Sequence, residues 1–220
     1  TATADGAYDI FKEVTQGQQD IAIQGFGNAG KQFAELVKDD HNVVAVSDSS
    51  GAIYDADGLS IDDVTEAKAK TGVVTEAQGT QITNEELLAL DVDTLVPAAL
   101  GDVITQDNVE DIQANTILEI ANGPISPTAD DILANQEITV IPDILANSGG
   151  VIVSYYEWVQ NRSGDQWKQH DVRQRLRQKM HESYEDVTTH QDTHNTTLRE
   201  SAYAVAAEHL INAARYRGKQ

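Results

Sequence analysis

The stretch Ile21-Ala22-Ile23-Gln24-Gly25-Phe26-Gly27-Asn28-Ala29-Gly30 decides the fold of this 220-residue chain. It reads as a short apolar strand that enters a Gly-x-Gly-x-x-Gly loop, and the apolar spacing of Lys31–Val37 predicts a helix directly afterwards. In such a loop the first glycine permits a tight turn, the second lets the backbone approach a phosphate, and the third packs the helix against the strand. We therefore predict that residues 25–30 bind a dinucleotide pyrophosphate at the helix N-terminus. A turn without a ligand is the alternative interpretation.

The segments on either side of the glycine loop predict an α/β, Rossmann-type doubly wound fold with a mostly parallel sheet. Ala4–Thr15 has helical apolar spacing, and Val43–Val46 has the β-branched composition of a second strand. After a predicted excursion around a short helix at Ile53–Gly72, apolar runs alternate with polar helical stretches, as in a parallel sheet with helices on both faces. The further predicted strands are Thr94–Val96, Thr116–Leu118 and Glu137–Ile141.

Long helices are predicted to follow the sheet. Their ranges are Gly149–Gln160, Gln166–Thr188 and Thr196–Arg217, and Asn195 is a candidate cap for the last of them. No internal repeat or low-complexity linker divides the sequence. We therefore predict a single nucleotide-binding domain over residues 1–220, with a helical C-terminal extension at about 148–217.

The composition is strongly acidic. Asp and Glu number 36 against 15 Lys and Arg, which gives a formal net charge of -21. This charge disfavours a nucleic-acid partner, because phosphate binding needs a basic surface. It is typical of adaptation to high salt, where solvent cations screen carboxylate repulsion and the Debye length falls from about 10 Å at 0.1 M to about 3 Å at 1 M. A solvated acidic face without salt adaptation is the alternative interpretation.

Targeting signals and cysteine usage predict a cytoplasmic protein without a membrane partner. No apolar run approaches the roughly 18–20 residues that a bilayer-spanning helix needs. The first residues, Thr1–Gly6, lack the basic and apolar regions of a signal peptide. The chain contains no cysteine, which excludes disulfides, thiolate metal ligands and a cysteine nucleophile.

An acidic residue ends the second predicted strand. In this position Asp48 is expected to hydrogen-bond the 2′-hydroxyl of the adenine ribose, which favours NAD. The neighbouring Ser49 and Ser50 carry hydroxyls that could donate to a 2′-phosphate, so NADP stays open. Asp48 could also be a plain turn residue.

Two asparagines follow later predicted strands. Ligands of open α/β sheets bind beyond the carboxyl ends of the strands, so Asn122 and Asn147 are predicted to reach one crevice. A carboxamide such as that of Asn147 is suited to pairing with the nicotinamide carboxamide. Gly149 and Gly150 would allow a close backbone approach at the next helix. Each of these segments could equally be a turn.

Two further groups of side chains have plainer interpretations. His190 and His194 could form a metal-binding pair on one helix face, but without a third ligand a solvated face is favoured. Packing between the long helices, rather than ligand binding, is expected for the aromatic residues Tyr155, Tyr156, Trp158 and Trp167.

These segments together resemble the nucleotide-binding domain of the hexameric glutamate dehydrogenase family, over nearly the whole chain. The segment with Leu-Ala-Asn-x-Gly-Gly (Pro142–Val151) and the aromatic segment Val153–Gln160 are far more specific for this family than the glycine loop. The matching segments are Gly25–Gly30, Val46–Gly51, Ile53–Leu59, Val96–Leu100, Ala121–Pro124, Pro142–Val151 and Val153–Gln160.

The resemblance implies a role for individual residues. Asn122 and Asn147 would line the nicotinamide pocket, and Ala98 and Ala99 would lie beside the cofactor ribose. Thr3 would face the nicotinamide amide, although its surroundings, Ala2-Thr3-Ala4-Asp5-Gly6, depart from the family motif at Ala4 and Asp5. Ser154 would contact the side-chain carboxylate of the substrate.

The resemblance also implies the activity of a parent enzyme. This enzyme would be a homohexamer that converts glutamate to 2-oxoglutarate and ammonia with hydride transfer to NAD or NADP. Its catalytic lysine and aspartate belong to a substrate domain expected before Thr1, and none of the eight lysines here has the surroundings of the family's lysine motifs. We therefore predict no catalytic residue in this chain, which should bind cofactor without turnover. The alternatives are a dehydrogenase of another amino acid and a Rossmann-like binding module without catalysis.

Overall fold

The structure, a computed structural model, describes residues 1–218 and confirms an α/β fold with a mostly parallel sheet. The strands are β1 (Asp20–Gln24), β2 (Asn42–Asp48), β3 (Gly51–Tyr54), β4 (Thr80–Ile82), β5 (Thr94–Pro97), β6 (Thr116–Leu118) and β7 (Thr139–Ile141). The helices are α1 (Ala2–Val14), α2 (Asn28–Val37), α3 (Ile61–Thr71), α4 (Asn84–Leu88), α5 (Pro127–Asn135), α6 (Asp143–Ala146), α7 (Gly149–Ser163), α8 (Gln169–His194) and α9 (Leu198–Tyr216).

The seven strands form one sheet in the order β4-β3-β2-β1-β5-β6-β7. β1 lies in the middle and pairs in parallel with β2 and β5, and the parallel pairing continues through β6 to β7. The order reverses on either side of β1, so a crevice opens beyond its carboxyl end. The glycine loop and the loops after β5, β6 and β7 therefore lie along one edge of the sheet.

Hydrophobic side chains cover both faces of the sheet. On one face Phe11 of α1 and Phe33 of α2 are fully buried, with ring centroids 5.6 Å apart, and Met180 of α8 joins the same cluster. On the other face Leu87 of α4 and Leu133 of α5 pack in a second buried cluster. These two layers explain why the central strands are nearly continuous apolar runs rather than alternating ones.

The region predicted as an excursion around a short helix, Ile53–Gly72, contains that helix. Two strands that the sequence pattern did not show lie at its start (β3) and beyond its end (β4). β3 pairs antiparallel with β2, and β4 pairs antiparallel with β3. Only Ala52 and Ile53 are buried in β3, and β4 is exposed or half-buried throughout. Two such short strands, one at the sheet edge and one next to it, carry too few apolar residues to produce a readable period.

The cap predicted for the last helix is wrong. Asn195 instead ends α8 in a left-handed conformation with a φ of 54°. The first turn of α9 is capped by Thr197, whose hydroxyl accepts the N–H of Glu200 while the Glu200 carboxylate accepts the N–H of Thr197. Asparagine tolerates the left-handed region better than most residues, and a Thr-x-x-Glu pair forms a capping box.

No helix in residues 1–218 is both long enough and apolar enough to cross a membrane.

Candidate functional site

The glycine loop connects β1 to α2, as the sequence predicted. Gly25 has a φ of +101°, and a Cβ at this position would lie 2.5 Å from the Cβ of Ala99. A Cβ at Gly30 would collide with the carbonyl oxygen of Gly25. These two glycines are therefore required by the turn and by the packing of α2 against β1.

Gly27 differs from both neighbours because nothing lies within 4 Å of the position that its Cβ would occupy. It is the N-cap of α2, has no side chain to satisfy the first turn, and that turn contains no acidic residue. The first N–H groups of a helix have no partner within the helix and carry a partial positive charge. The open space beside Gly27 therefore faces a ready anion-binding site formed by the backbone of Asn28, Ala29 and Gly30.

The two asparagines predicted to share the crevice contact each other. Nδ2 of Asn147 donates to Oδ1 of Asn122 at 2.7 Å and lies 3.3 Å from the carbonyl oxygen of Ile120. Asn122 lies in the loop after β6, and Asn147 ends α6, which begins just after β7. The structure therefore places both carboxamides at the carboxyl edge of the sheet, where the sequence predicted them.

Thr3 and Ser154 lie on α1 and α7, the two helices that meet close to Asn147. A Cβ on Gly150 would lie 2.7 Å from Oγ1 of Thr3, so the first turn of α1 touches the start of α7 there. A Cβ on Gly149 would collide with the carbonyl oxygen of Ala2, which explains the glycine pair. Ser154 is exposed and lies one turn beyond Gly150, on the same side of α7.

The segment after β5 borders the glycine loop. The N–H of Ala98 donates to the carbonyl oxygen of Gln24 at 2.8 Å, which extends the pairing of β1 and β5 to the edge. Ala98 is half-buried against Gly30, whereas Ala99 is exposed beside Gly25. Small side chains here leave room above the loop.

Asp48 lies at the predicted strand end, but its carboxylate already has several protein partners. Oδ1 accepts the N–H and hydroxyl of Ser50, and Oδ2 accepts Nζ of Lys68 and the N–H of Val74, each at 3.0 Å. Burial opposes ionisation, yet these hydrogen bonds together lower the pKa of Asp48. Ser49 is exposed beside it. The proposed ribose contact of Asp48 would therefore have to share a carboxylate that also holds the local loops.

Lys68 is a candidate residue that sequence reasoning missed. It comes from the last turn of α3, and its Nζ lies 6.0 Å from the ring centroid of Phe26 in the glycine loop. The ammonium group of Lys68 therefore lies at the end of β2, next to Asp48, where the sequence has no adjacent arginine. Its sole sequence signal is a basic residue near a helix C-terminus, which is commonplace.

The aromatic residues divide into two pairs. Tyr156 and Trp167 pack between α7 and the segment before α8, with centroids 5.7 Å apart, as predicted. For Tyr155 and Trp158 the packing prediction is wrong: they stack on each other at 6.0 Å and remain 58% and 55% exposed.

The histidine pair also makes local contacts. The rings of His190 and His194 stack at 4.1 Å, and Nδ1 of His190 lies 3.2 Å from Oγ of Ser201. Residues 1–218 contain no cluster of three side chains that could hold a metal ion.

A glycine loop between a central parallel strand and a helix N-terminus, next to two polar loops on the same sheet edge, is the arrangement of the Rossmann class of folds. A sequence model of the family described as Glutamate/Leucine/Phenylalanine/Valine dehydrogenase matches residues 1–218. The chain belongs to this family, which confirms the resemblance found in the sequence.

Individual relatives are glutamate dehydrogenases. The chain is 43% identical over 218 residues to the NADP-specific glutamate dehydrogenase A1 of Halobacterium salinarum, with 96% of this chain and 52% of the relative aligned. It is 41% identical over 199 residues to the NAD-specific glutamate dehydrogenase of Staphylococcus aureus (strain COL), with 90% and 48% aligned. The hetero-hexameric glutamate dehydrogenase of Thermus thermophilus in its Leu-bound form superposes with a TM-score of 0.91 at 28% identity, over 98% of this chain and 53% of that one.

The chain therefore spans about half the length of the relatives that it matches. One of the two curated relatives is NADP-specific and the other NAD-specific, so similarity alone does not select the cofactor.

Proposed function

We propose that this chain binds NAD or NADP and is the cofactor-binding part of a glutamate dehydrogenase. The observation that carries the proposal is the open position beside Gly27 at the uncapped N-terminus of α2, because the fold leaves room there for an anion. Gly25 and Gly30 are explained by packing alone. A glycine at 27 has no such explanation, since a methyl group would fit.

An extended dinucleotide would lie along this edge of the sheet, across the loops that follow β1, β5, β6 and β7. The loop residues Gly25, Phe26, Gly27, Asn28, Ala29 and Gly30 would hold the pyrophosphate. Asp48 and Ser49 would lie at the adenine ribose, and Ala98 and Ala99 beside the bound ribose. Asn122, Asn147 and Thr3 would surround the nicotinamide, whose carboxamide needs both donors and acceptors.

The substrate side is argued from the relatives and from one residue. Relatives at 41–43% identity are named glutamate dehydrogenases, which favours glutamate over other amino acids. Ser154 is exposed one turn beyond the Thr3–Gly150 contact, where it would reach the substrate side-chain carboxylate. When bound, the dinucleotide would supply the hydride acceptor, and the residues named above would hold its nicotinamide in place.

Catalysis needs more than this part of the protein. Oxidation of an amino acid requires a base for the amine and positive groups for the carboxylates. We propose that these groups, including the catalytic lysine and aspartate, come from sequence outside these residues, within a homohexamer in the cytoplasm. The same proposal includes solvent cations as partners of the acidic surface at high salt.

Fluorescence titration with NADH and with NADPH in molar KCl tests the binding proposal. We expect saturable binding of at least one reduced dinucleotide and negligible glutamate oxidation by the 220-residue chain alone. Failure to bind either dinucleotide, with the fold intact by circular dichroism, would favour a Rossmann-like module without a cofactor. Measurable glutamate oxidation by the isolated chain would contradict the placement of the catalytic groups elsewhere.

A further inference from the structure

An arginine of the last helix reaches the sheet edge that carries the nicotinamide loops. Arg199, in the first turn of α9, makes a two-pronged contact with Glu119, which directly follows β6. Its two terminal nitrogens donate to the two carboxylate oxygens of Glu119 at 2.7 and 3.0 Å. Its Nε donates to Oδ2 of Asp130 on α5 at 2.8 Å. This guanidinium therefore ties α9 to the end of β6 and to α5, whose bonded residues lie 80 and 69 positions earlier in the sequence.

The pair is largely removed from water. The side chain of Glu119 is fully buried, and that of Arg199 is 18% exposed. Burial raises the pKa of Glu119, while the hydrogen bonds and charge of Arg199 oppose that shift. Without the guanidinium, the carboxylate would be left buried with one backbone partner, an arrangement that proteins avoid. The orientation of Glu119 thus depends on Arg199.

Glu119 in turn fixes the two loops that carry Asn122 and Asn147. Its Oε2 accepts the N–H of Asp143 at 2.7 Å, at the start of α6. Oδ2 of Asp143 accepts the N–H of Gly123 at 2.8 Å, so the side chain of Asp143 holds the loop after β6. Asn147 follows the last residue of α6: its N–H donates to the carbonyl oxygen of Asp143 at 3.0 Å, and its Nδ2 donates to Oδ1 of Asn122. Hydrogen bonds therefore run without a gap from Arg199 to both asparagines.

We propose that Arg199 is a positioning residue for the nicotinamide end of the dinucleotide, acting through Glu119 and Asp143 on the loops of Asn122 and Asn147. Arg199 touches neither asparagine. Its hydrogen-bond partners Glu119 and Asp130, and the Asp143 carboxylate 3.6 Å from one of its terminal nitrogens, all lie on the β6, α5 and α6 side of β1, away from the glycine loop. Its loss should therefore weaken recognition of the nicotinamide and leave recognition of the adenosine diphosphate portion intact. This inference rests on the proposed binding of a nicotinamide dinucleotide.

Calorimetric titration of Arg199→Met with two ligands tests this division. One ligand is the better bound of NADH and NADPH, and the other is the matching ADP-ribose or 2′-phospho-ADP-ribose, which lacks nicotinamide. We expect the affinity for the dinucleotide to fall about tenfold and that for the ADP-ribose ligand to change less than about twofold. Arg199→Lys keeps the charge but not the two-pronged contact, so its loss should be smaller.

Two further variants distinguish a positioning role of Arg199 from a general effect of removing a charge or of misfolding. Arg177→Met removes an equal charge from an exposed ion pair with Asp9 on α1 and should change neither affinity. If Arg199→Met does not fold, Asp143→Ala keeps the Arg199–Glu119 pair, breaks the link to Gly123, and should show the same difference between ligands. Equal losses for both ligands, or no loss for either, would overturn the positioning role. Failure of the unsubstituted chain to bind either ligand would instead overturn the proposed function.

Discussion

Replacing Gly27 by alanine separates ligand binding from folding in the glycine loop. The backbone at Gly27 is extended, with a φ of -89°, and the added methyl group meets nothing within 4 Å. Gly→Ala substitution at a compatible site stabilises a protein by about 0.4–1 kcal/mol through the unfolded chain. Alanine is a poorer N-cap than glycine by a comparable amount, roughly 0.5–1 kcal/mol, so the two effects oppose each other. The free energy of unfolding should therefore change by less than about 1 kcal/mol, or about 2–4 °C in melting temperature for a domain of this size.

Binding should respond very differently. The methyl group would occupy the space in which a pyrophosphate has to approach the N–H groups of α2. We expect the affinity for the reduced dinucleotide to fall at least about tenfold, which corresponds to about 1.4 kcal/mol. Fluorescence titration gives the affinity, and thermal denaturation of the same sample gives the stability.

Gly30→Ala is the matched control. Its methyl group would collide with the carbonyl oxygen of Gly25 and lie 3.3 Å from the Cβ of Ala98. Overpacking of this kind costs about 1–3 kcal/mol, so the control should lose stability where Gly27→Ala does not. Unchanged dinucleotide affinity in Gly27→Ala, or a loss of stability equal to that of Gly30→Ala, would refute a binding role for the open position.

Three other perturbations test separate features of the molecule. Lys68→Met tests a proposed contact between the Lys68 ammonium, 3.0 Å from Asp48 at the proposed adenine-ribose position, and the 2′-phosphate of NADPH. The substitution should lower the affinity for NADPH about tenfold more than that for NADH. The exposed Lys70→Met should affect both equally, and an equal effect in Lys68→Met would exclude the contact. Raising KCl from low to molar concentration should raise the melting temperature, because a net charge of -21 repels itself, and a flat response would contradict salt adaptation. Burial lowers the pKa of His41, whose Nδ1 accepts the N–H of Gln19, so the folded state binds its proton less readily than the unfolded chain. Stability should therefore be lost as the pH falls below about 6.5, and denaturation of His41→Asn should show less of this loss.

Much of the fold could be predicted from sequence because the central strands are buried on both faces. The continuous apolar runs at β1 and β2, and the helical apolar spacing of α1 and α2, can be read from one sequence because they depend only on the order of apolar residues along the chain. The antiparallel strands β3 and β4 could not be predicted, since both are short and contain few buried residues. Asn195 was misplaced for a similar reason: a residue between two helices can end one or begin the other, and backbone geometry decides which.

The candidate site shows the same division. The glycine spacing predicted a pyrophosphate loop, but tertiary contacts distinguish Gly27, with open space, from Gly25 and Gly30, which are fixed by packing. Asp48 was identified at its strand end, yet its partner Lys68 comes from α3 and could not be associated with it by spacing.

The sequence by itself determined the class of this protein, because the Gly25–Gly30 loop and the apolar strand before it encode local backbone geometry that only a few folds use. It also fixed the charge, and with it the expected dependence on salt. Tertiary structure alone decided how Asn122 and Asn147 meet and how Arg199 holds Glu119 behind them. The physical reason is that hydrogen bonds between side chains remote in sequence depend on the packing of whole elements, and no period or motif within one segment records that packing.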